Sequence, residues 1–403
     1  MESAKNFAEG LGIKKPWYIS EVHLEGESEK KTLHIYLAHT AHALFNYEGK
    51  QYPVYDHQQR KWHHLRFFQH ECYIHAGVPR IKNSDGKVKL VEVPWAQPGS
   101  SFSLLFEYDV LDLITEGMSM SGVSRRLNIV DKRIARIIRR HVSHCLANQA
   151  IEEVKELSVD ETSRRKGHNY FTIMSDREAK KVVGVGIGKD KEAFAHALVD
   201  LEIRGGSRQS VKSITMDMSR SYISAATEMI NQADIIFDRF HIVKKLNEAV
   251  DKIRRKEQKE HDELKKTRYL WLKNNLNLNE EQRIQINNLS EAYPNIGKAY
   301  RLKELLKSVL DQAYNSRLLK PLNNWVKEAW ESEIEPIREF VNMLKRHWYG
   351  IKTYFKKVAT NAFAERVNLK IQEIKRIAKG FTNPLNFIMM IYFHLGGLNF
   401  KTH

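Results

Sequence analysis

The chain has 403 residues, which at roughly 150 residues per domain allows two to four domains with cores that need no covalent staples. Lys and Arg number 65 against 49 Asp and Glu, a formal net charge of +16 that favours a polyanionic partner and puts nucleic acid first. Two cysteines, Cys72 and Cys145, exclude a disulfide framework and a four-thiolate zinc site and fit a reducing compartment. Without a signal-type apolar segment or a run of about 18 apolar residues, the expectation is a soluble, intracellular protein with no membrane partner.

Residues 1–100 read as a small β-rich module, because short apolar runs such as TLHIYLA, HLRFF and VKLVEVPWA alternate with EGK, DGK and prolines. Residues 101–150 change to helical spacing, with Leu111 and Ile114, Val123 and Leu127, and Ile134, Ile137, Ile138 and Val142 on apolar stripes. Gly117 and Ser121 are the expected stop and start signals between these helices. From 151 to 245, VKELSVDET, YFTIM and VVGVGIG predict three strands, then helix, strand, helix and a strand over ADIIFD, which is an α/β sheet. Residues 246–358 predict an all-helical insertion, and 359–403 a return to the sheet domain with a last helix ending near Lys379.

The segment SGVSRRLNIVDKRIARIIRRHV predicts a helix-turn-helix. Its second helix buries Ile134, Ile137 and Ile138 and exposes Lys132, Arg133, Arg136, Arg139 and Arg140, while Arg125 and Arg126 add cations on the first. Such a helix can enter a major groove, with Lys132, Arg133 and Arg136 near base edges and Arg139 and Arg140 nearer phosphates. A merely solvated basic face is the bland alternative, and Asp131 fits an N-cap better than a base reader.

Asp160 ends the strand-like LSVD and Asp217 ends SITMD, so adjacent parallel strands would present two carboxylates at one sheet edge. Glu365 lies on a polar stripe of the last helix with Asn361, Asn368, Gln372 and Arg376, opposite the apolar stripe Phe363, Val367, Ile371, Ile374 and Ala378. Each acid alone is as well read as a turn former, a cap or a solvated helix residue. In LKRHWYGIKTYFKKV, Leu344, Trp348, Ile351, Phe355 and Val358 form a core stripe and leave Lys345, Lys352 and Lys356 to face flanking or target DNA.

The strings SVDETSRRKGHNYFTIMSDRE, SITMDMSRSYISAA, IIFDRFHIVKKLNEAVDKIRR and AERVNLKIQEIKRIAKGFTN resemble successive blocks of the DDE transposases of the ISL-three insertion-sequence family. The upstream WHHLRFF, VPRI and VPWAQPGSSFSLLFE resemble its N-terminal blocks. The resemblance implies an RNase H-like mixed sheet with a helical insertion and a catalytic, metal-binding triad at Asp160, Asp217 and Glu365 holding two divalent cations, Mg2+ or Mn2+. It implies cleavage and transfer of double-stranded DNA at terminal inverted repeats, by a homodimer or larger synaptic complex, in the cytoplasm with the bacterial nucleoid. Asp238, His241 and Asn368 take supporting roles, Asp238 and His241 resembling the family's D-x-x-H signature, and Lys166, Gly167 and His168 match its basic turn. The family's N-terminal zinc cysteines fall near Phe45, Glu48, Asn83 and Asp85, none a thiolate, so zinc is not expected. His57, His63, His64, His70 and His75 with Cys72 would be divided by strand alternation between two faces. A decayed, DNA-binding regulator and a nuclease of RNA–DNA hybrids are the competing readings.

Overall fold

The computed structural model describes residues 8, 10–27, 31–164, 169–312, 317, 319–356 and 362–400. Lys166, Gly167, His168, Val358 and Asn361 lie outside the described residues. The chain divides into two compact units, residues 1–138 and 139–403, and the division falls inside one helix, Asp131–Asn148.

In the first unit, β1 (Trp17–Glu25), β2 (Thr32–His39), β5 (Asp56–Phe67) and β6 (His70–Lys82) form a sheet in the order β1-β2-β6-β5, with β7 (Val88–Leu90) on β6. β3 (Phe45–Tyr47) and β4 (Lys50–Tyr52) make a separate hairpin. Period-two burial is clearest in β6, where Cys72, Ile74, Ala76 and Val78 point inward. The same alternation divides the histidines, because His63 lies across from Tyr73 and His64 from Cys72. The core is built on aromatic rings: Trp95 meets Trp17 edge-on at 4.9 Å and Trp62 at 5.5 Å, and Phe45 packs on Trp17.

Three helices follow, α1 (Leu104–Thr115), α2 (Met120–Leu127) and α3 (Asp131–Asn148). Gly117, at φ 88°, takes the left-handed turn after α1. The start signal differs from expectation: Ser119 caps α2 by accepting from the Gly122 N–H, and Ser121 lies inside the helix. Asn128 closes α2 in the left-handed conformation and donates to Glu71. Asp131 also departs from the cap reading, since it is already the first residue of α3, where it accepts from the Ser121 hydroxyl.

The second unit holds β8 (Glu156–Ser163), β9 (Tyr170–Asp176), β10 (Lys181–Ile187), β11 (Ser213–Met216) and β12 (Asp234–Phe237), in the order β10-β9-β8-β11-β12. The β10-β9-β8 half is antiparallel and the β8-β11-β12 half parallel, giving a mixed α/β sheet. Helix α4 (Lys191–Ile203) covers β10 so closely that a Cβ at Gly184 would stand 1.9 Å from the Ala197 carbonyl oxygen and one at Gly186 1.8 Å from that of Ala193. The VVGVGIG run is therefore glycine-bearing because a helix backbone lies on it.

Helices α5 (Arg220–Met229) and α6 (Arg239–Glu257) flank β12. Then come α7 (Arg268–Leu272), α8 (Glu280–Ala292), α9 (Pro294–Asp311), α10 (Leu319–Glu331), α11 (Glu335–Arg346), α12 (Trp348–Lys356), α13 (Ala362–Ile377) and α14 (Pro384–Leu395). One continuous core runs from Ile214 and Phe237 in the sheet to Trp271, Leu306, Trp325 and Phe355 in the helical layer. The helical layer thus shares the sheet's core, and α6 runs unbroken across the expected division at residue 245. A break at His347 separates α11 from α12, whereas the spacing of Leu344, Trp348, Ile351 and Phe355 predicts one continuous stripe. Helix α14 lies beyond the last helix expected, because its run PLNFIMMIYFHL is too uniformly apolar to show a helical period.

Candidate active site

Asp160 does not end its strand; it sits within β8, on the face of Ser158 and Thr162, while Leu157 and Val159 enter the core on the other. Parallel pairing of β11 with β8 matches Ser213 to Glu156 and Thr215 to Ser158, and the same offset carried on two residues sets Asp217 beside Asp160. Pairing of β11 with β12 matches Met216 to Phe237, so the next residues, Asp217 and Asp238, are neighbours in turn, with the Asp238 N–H bonded to the Met216 carbonyl at 3.0 Å. Strand separation of about 4.8 Å therefore lines up three aspartates across three adjacent parallel strands.

Each member of the row is held by local geometry. Asp238 is buried and caps α6, accepting from the Phe240 N–H at 3.0 Å, and Asp217 accepts from the Ser219 N–H at 2.9 Å. Asp160 accepts from the Glu161 N–H at 2.7 Å and from the side-chain amide of Asn368. His241, on the first turn of α6, places Nε2 3.9 Å from Asp160 and 3.8 Å from Asp238. Loss of water around Asp160 pushes its carboxyl above the ordinary 3.8, and the charge of Asp238 adds to the rise; the Glu161 N–H, His241 and Asn368 oppose it. Tyr222, which hydrogen-bonds Thr172 at 2.8 Å, is itself pushed up chiefly by burial and also by the charges of Glu161, Asp217 and Asp160.

Glu365 stands exposed in the first turn of α13, three residues before Asn368 and so on the same helix face. Val367, Ile371 and Ile374 bury the opposite stripe, and Lys375 donates to the Ser163 carbonyl at 2.8 Å. With the Asn368 bond to Asp160, that contact lays α13 along β8. Among the described residues no three His, Cys, Asp or Glu side chains stand close enough to hold an ion. The structure thus gathers Asp160, Asn368, His241 and Asp238, aligns Asp217 with them by register, and leaves Glu365 one helical turn away. Asp238 belongs to the acid row itself; its offset of 21 residues from Asp217, equal to that of Ser213 and Asp234, becomes informative only once the two strands are known to pair.

On the cationic helices, Arg125, Arg126, Lys132, Arg133 and Arg136 are exposed. Arg133 lies over the Phe102 ring at 5.4 Å. Arg139 is exposed and donates to Asn386 at 3.1 Å, whereas Arg140 is half-buried. Lys345, Lys352 and Lys356 are exposed, Lys345 above the Trp330 ring at 4.7 Å, while Leu344, Ile351 and Phe355 are buried as their spacing requires.

Two family models match this chain: one described as a transposase over residues 157–391, the other as the helix-turn-helix domain of transposase family ISL3 over 91–142. The chain is 24% identical over 378 residues, 91% of its length and 92% of the relative's, to the transposase for insertion sequence element IS1001 of Bordetella parapertussis. It is 23% identical over 368 residues, 84% of its length and 82% of the relative's, to the transposase for insertion sequence element IS1557 of Mycobacterium tuberculosis. These matches define the transposase of an insertion sequence. The chain belongs to the ISL3 transposase family and carries that family's helix-turn-helix DNA-binding domain. No helix among the described residues is long and apolar enough to cross a membrane.

Proposed function

We propose that the protein binds the terminal inverted repeats of an insertion sequence through its helix-turn-helix and cleaves and transfers the DNA strand at the acid row. The observation that carries this reading is the register that sets Asp160, inside β8, beside Asp217 and Asp238, which directly follow the adjacent parallel strands β11 and β12, with His241 between the first and third. The order of three antiparallel and then two parallel strands followed by a helix bearing Glu365 supports an RNase H-like core. Residues 1–100 would be the N-terminal module, 101–150 the DNA-binding region, 246–358 the insertion and 359–403 the segment that brings in the third carboxylate. Two ends must be handled together, which calls for a homodimer or larger synaptic assembly.

The donors suit hard divalent cations: they are carboxylate oxygens, and Asp160 is half-buried beside other acids, where a cation offsets both desolvation and repulsion. Asp160, Asp217 and Glu365 would hold two ions, Mg2+ or Mn2+, which when bound activate the attacking oxygen and stabilise the leaving one at phosphorus. The amide of Asn368 and the N–H of Glu161 fix the orientation of the Asp160 carboxylate. His241 stands between the carboxylates of Asp160 and Asp238 and helps to set their spacing. Exposed Arg136 and Lys132 hold the duplex by phosphate and base-edge contacts, with Arg125 and Arg126 on the neighbouring helix.

Purified protein incubated with Mg2+ or Mn2+ and labelled inverted-repeat DNA from the sequence flanking its gene tests this function. A transposase cuts at the repeat boundary and joins the freed 3′ end to a second duplex. Binding without cutting would leave a DNA-binding regulator, and cutting confined to RNA–DNA hybrids a nuclease.

A further inference from the structure

A second feature lies on α6, immediately beyond the acid row. Phe240, which follows the Asp238 cap and meets the His241 ring edge-on at 5.4 Å, is 54% exposed. It opens a groove of about 390 Å3 that runs along α6 to α7, within the range of roughly 300–1,000 Å3 that accepts small organic groups. Lys244, Asn247, Asp251 and Arg255 follow Phe240 on one face of α6, and Arg268 faces them from α7. Arg255 and Arg268 both converge on Asp251, at 3.3 and 3.5 Å, and Glu248 also lines the groove, so Lys244, Arg255 and Arg268 against Asp251 and Glu248 leave the wall net cationic. The side-chain Oδ1 of Asn247 is buried without a hydrogen-bond partner among the described residues. A buried acceptor of this kind costs stability until a donor meets it.

An exposed aromatic face, a cationic wall and an unmet acceptor in one groove have the chemistry of a nucleotide: a base to stack, a phosphate to neutralise and an exocyclic amine or imino N–H to give a hydrogen bond. We propose that this groove receives one unstacked nucleotide of the DNA strand lying at the acid row, its base on Phe240 and against Asn247 and its phosphate toward Lys244 and Arg268. Because Phe240 lies two residues after Asp238 and directly before His241, capture of that base would hold the adjoining phosphate in register with the carboxylates. The inference rests on the proposed function, in that it places DNA at Asp160. Nothing in FDRFHIV distinguishes Phe240 from the buried Phe237; only its exposure marks it.

The test uses the full-length protein and two probes: a blunt duplex, and the same duplex with a short oligothymidine flap carrying 5-iododeoxyuridine. Ultraviolet cross-linking of the flap is expected to map to Phe240. The flap is expected to raise affinity roughly five- to hundredfold over the blunt duplex, the range of one stacked base. Phe240→Ala abolishes both effects, Phe240→Trp restores them, and Asn247→Leu weakens the flap preference. Thermal unfolding of each variant controls for folding, and a half-exposed Phe240 should tolerate replacement. Cross-links mapping elsewhere, or a Phe240→Ala protein with the wild-type flap preference, would overturn the groove even where metal-dependent cutting persists. Loss of cutting with the flap preference intact would instead overturn the proposed chemistry and leave the groove standing.

Discussion

The two units each contain a five-stranded sheet with polar side chains on it, yet the polar groups are arranged in opposite ways. In the first unit they satisfy one another: His34 meets His75 at 2.8 Å, His64 meets Ser103 at 2.7 Å, and the His63 ring stacks on Tyr73 at 4.8 Å. Burial holds His34, His63 and His75 below the ordinary imidazole range, so these rings favour the neutral form. In the second unit, aspartates line up as like charges across three strands, with one histidine between two of them and a carboxyl driven upward by burial. Polar groups that pair among themselves hold a fold together; like charges collected at strand ends lower its stability and are retained where a ligand of opposite charge compensates.

The contrast breaks most sharply at the acids. Asp217→Asn should reduce cleavage to background, a loss of several orders of magnitude, while DNA binding measured by gel shift persists. Asn368→Ala, which frees the Asp160 carboxylate, should cost about ten- to a hundredfold in activity or metal affinity, checked by the Mn2+ concentration for half-maximal cutting.

The paired side of the contrast predicts acid lability in the first unit. Burial depresses His64 from 6.5 to about 4, so its folded form resists protonation. Its contribution is therefore complete above pH 6.5 and is lost as pH falls toward 4, by at most about 3 kcal/mol. Denaturant midpoints measured across that window should flatten in His64→Gln. The smallest effect is at the DNA: Arg139→Ala, at an exposed position read as a phosphate contact, should weaken binding evenly across sequences and reduce the slope of log K against log salt by about 0.9. An unchanged slope would make the exposed α3 cations a solvated surface.

Much of the second sheet was legible in the sequence, because its strands are short apolar runs and α13 shows a clean stripe in Val367, Ile371 and Ile374. Asp160 and Asp217 could be picked out as acids near strand ends. Their alignment could not, because it depends on which strands pair and in what register. The end of LSVD misled for a local reason: β8 continues through polar Glu161, Thr162 and Ser163, which pair with β9 but lack apolar alternation. Asp238 and His241 were visible as a spacing, whereas the exposure of Phe240 and the burial of the Asn247 oxygen arise only from packing. In the first unit, Phe45 stands near a family cysteine position, and the structure shows it packed with Trp17 in an aromatic core.

The most direct measurement is calorimetric titration of Mn2+ into the wild-type protein and into Asp160→Asn and Asp217→Asn variants. Saturable binding in the wild type that is lost or strongly weakened in both variants is the result expected of a cation site built on the acid row. Equal binding in all three proteins, or none in the wild type with end DNA present, would contradict it.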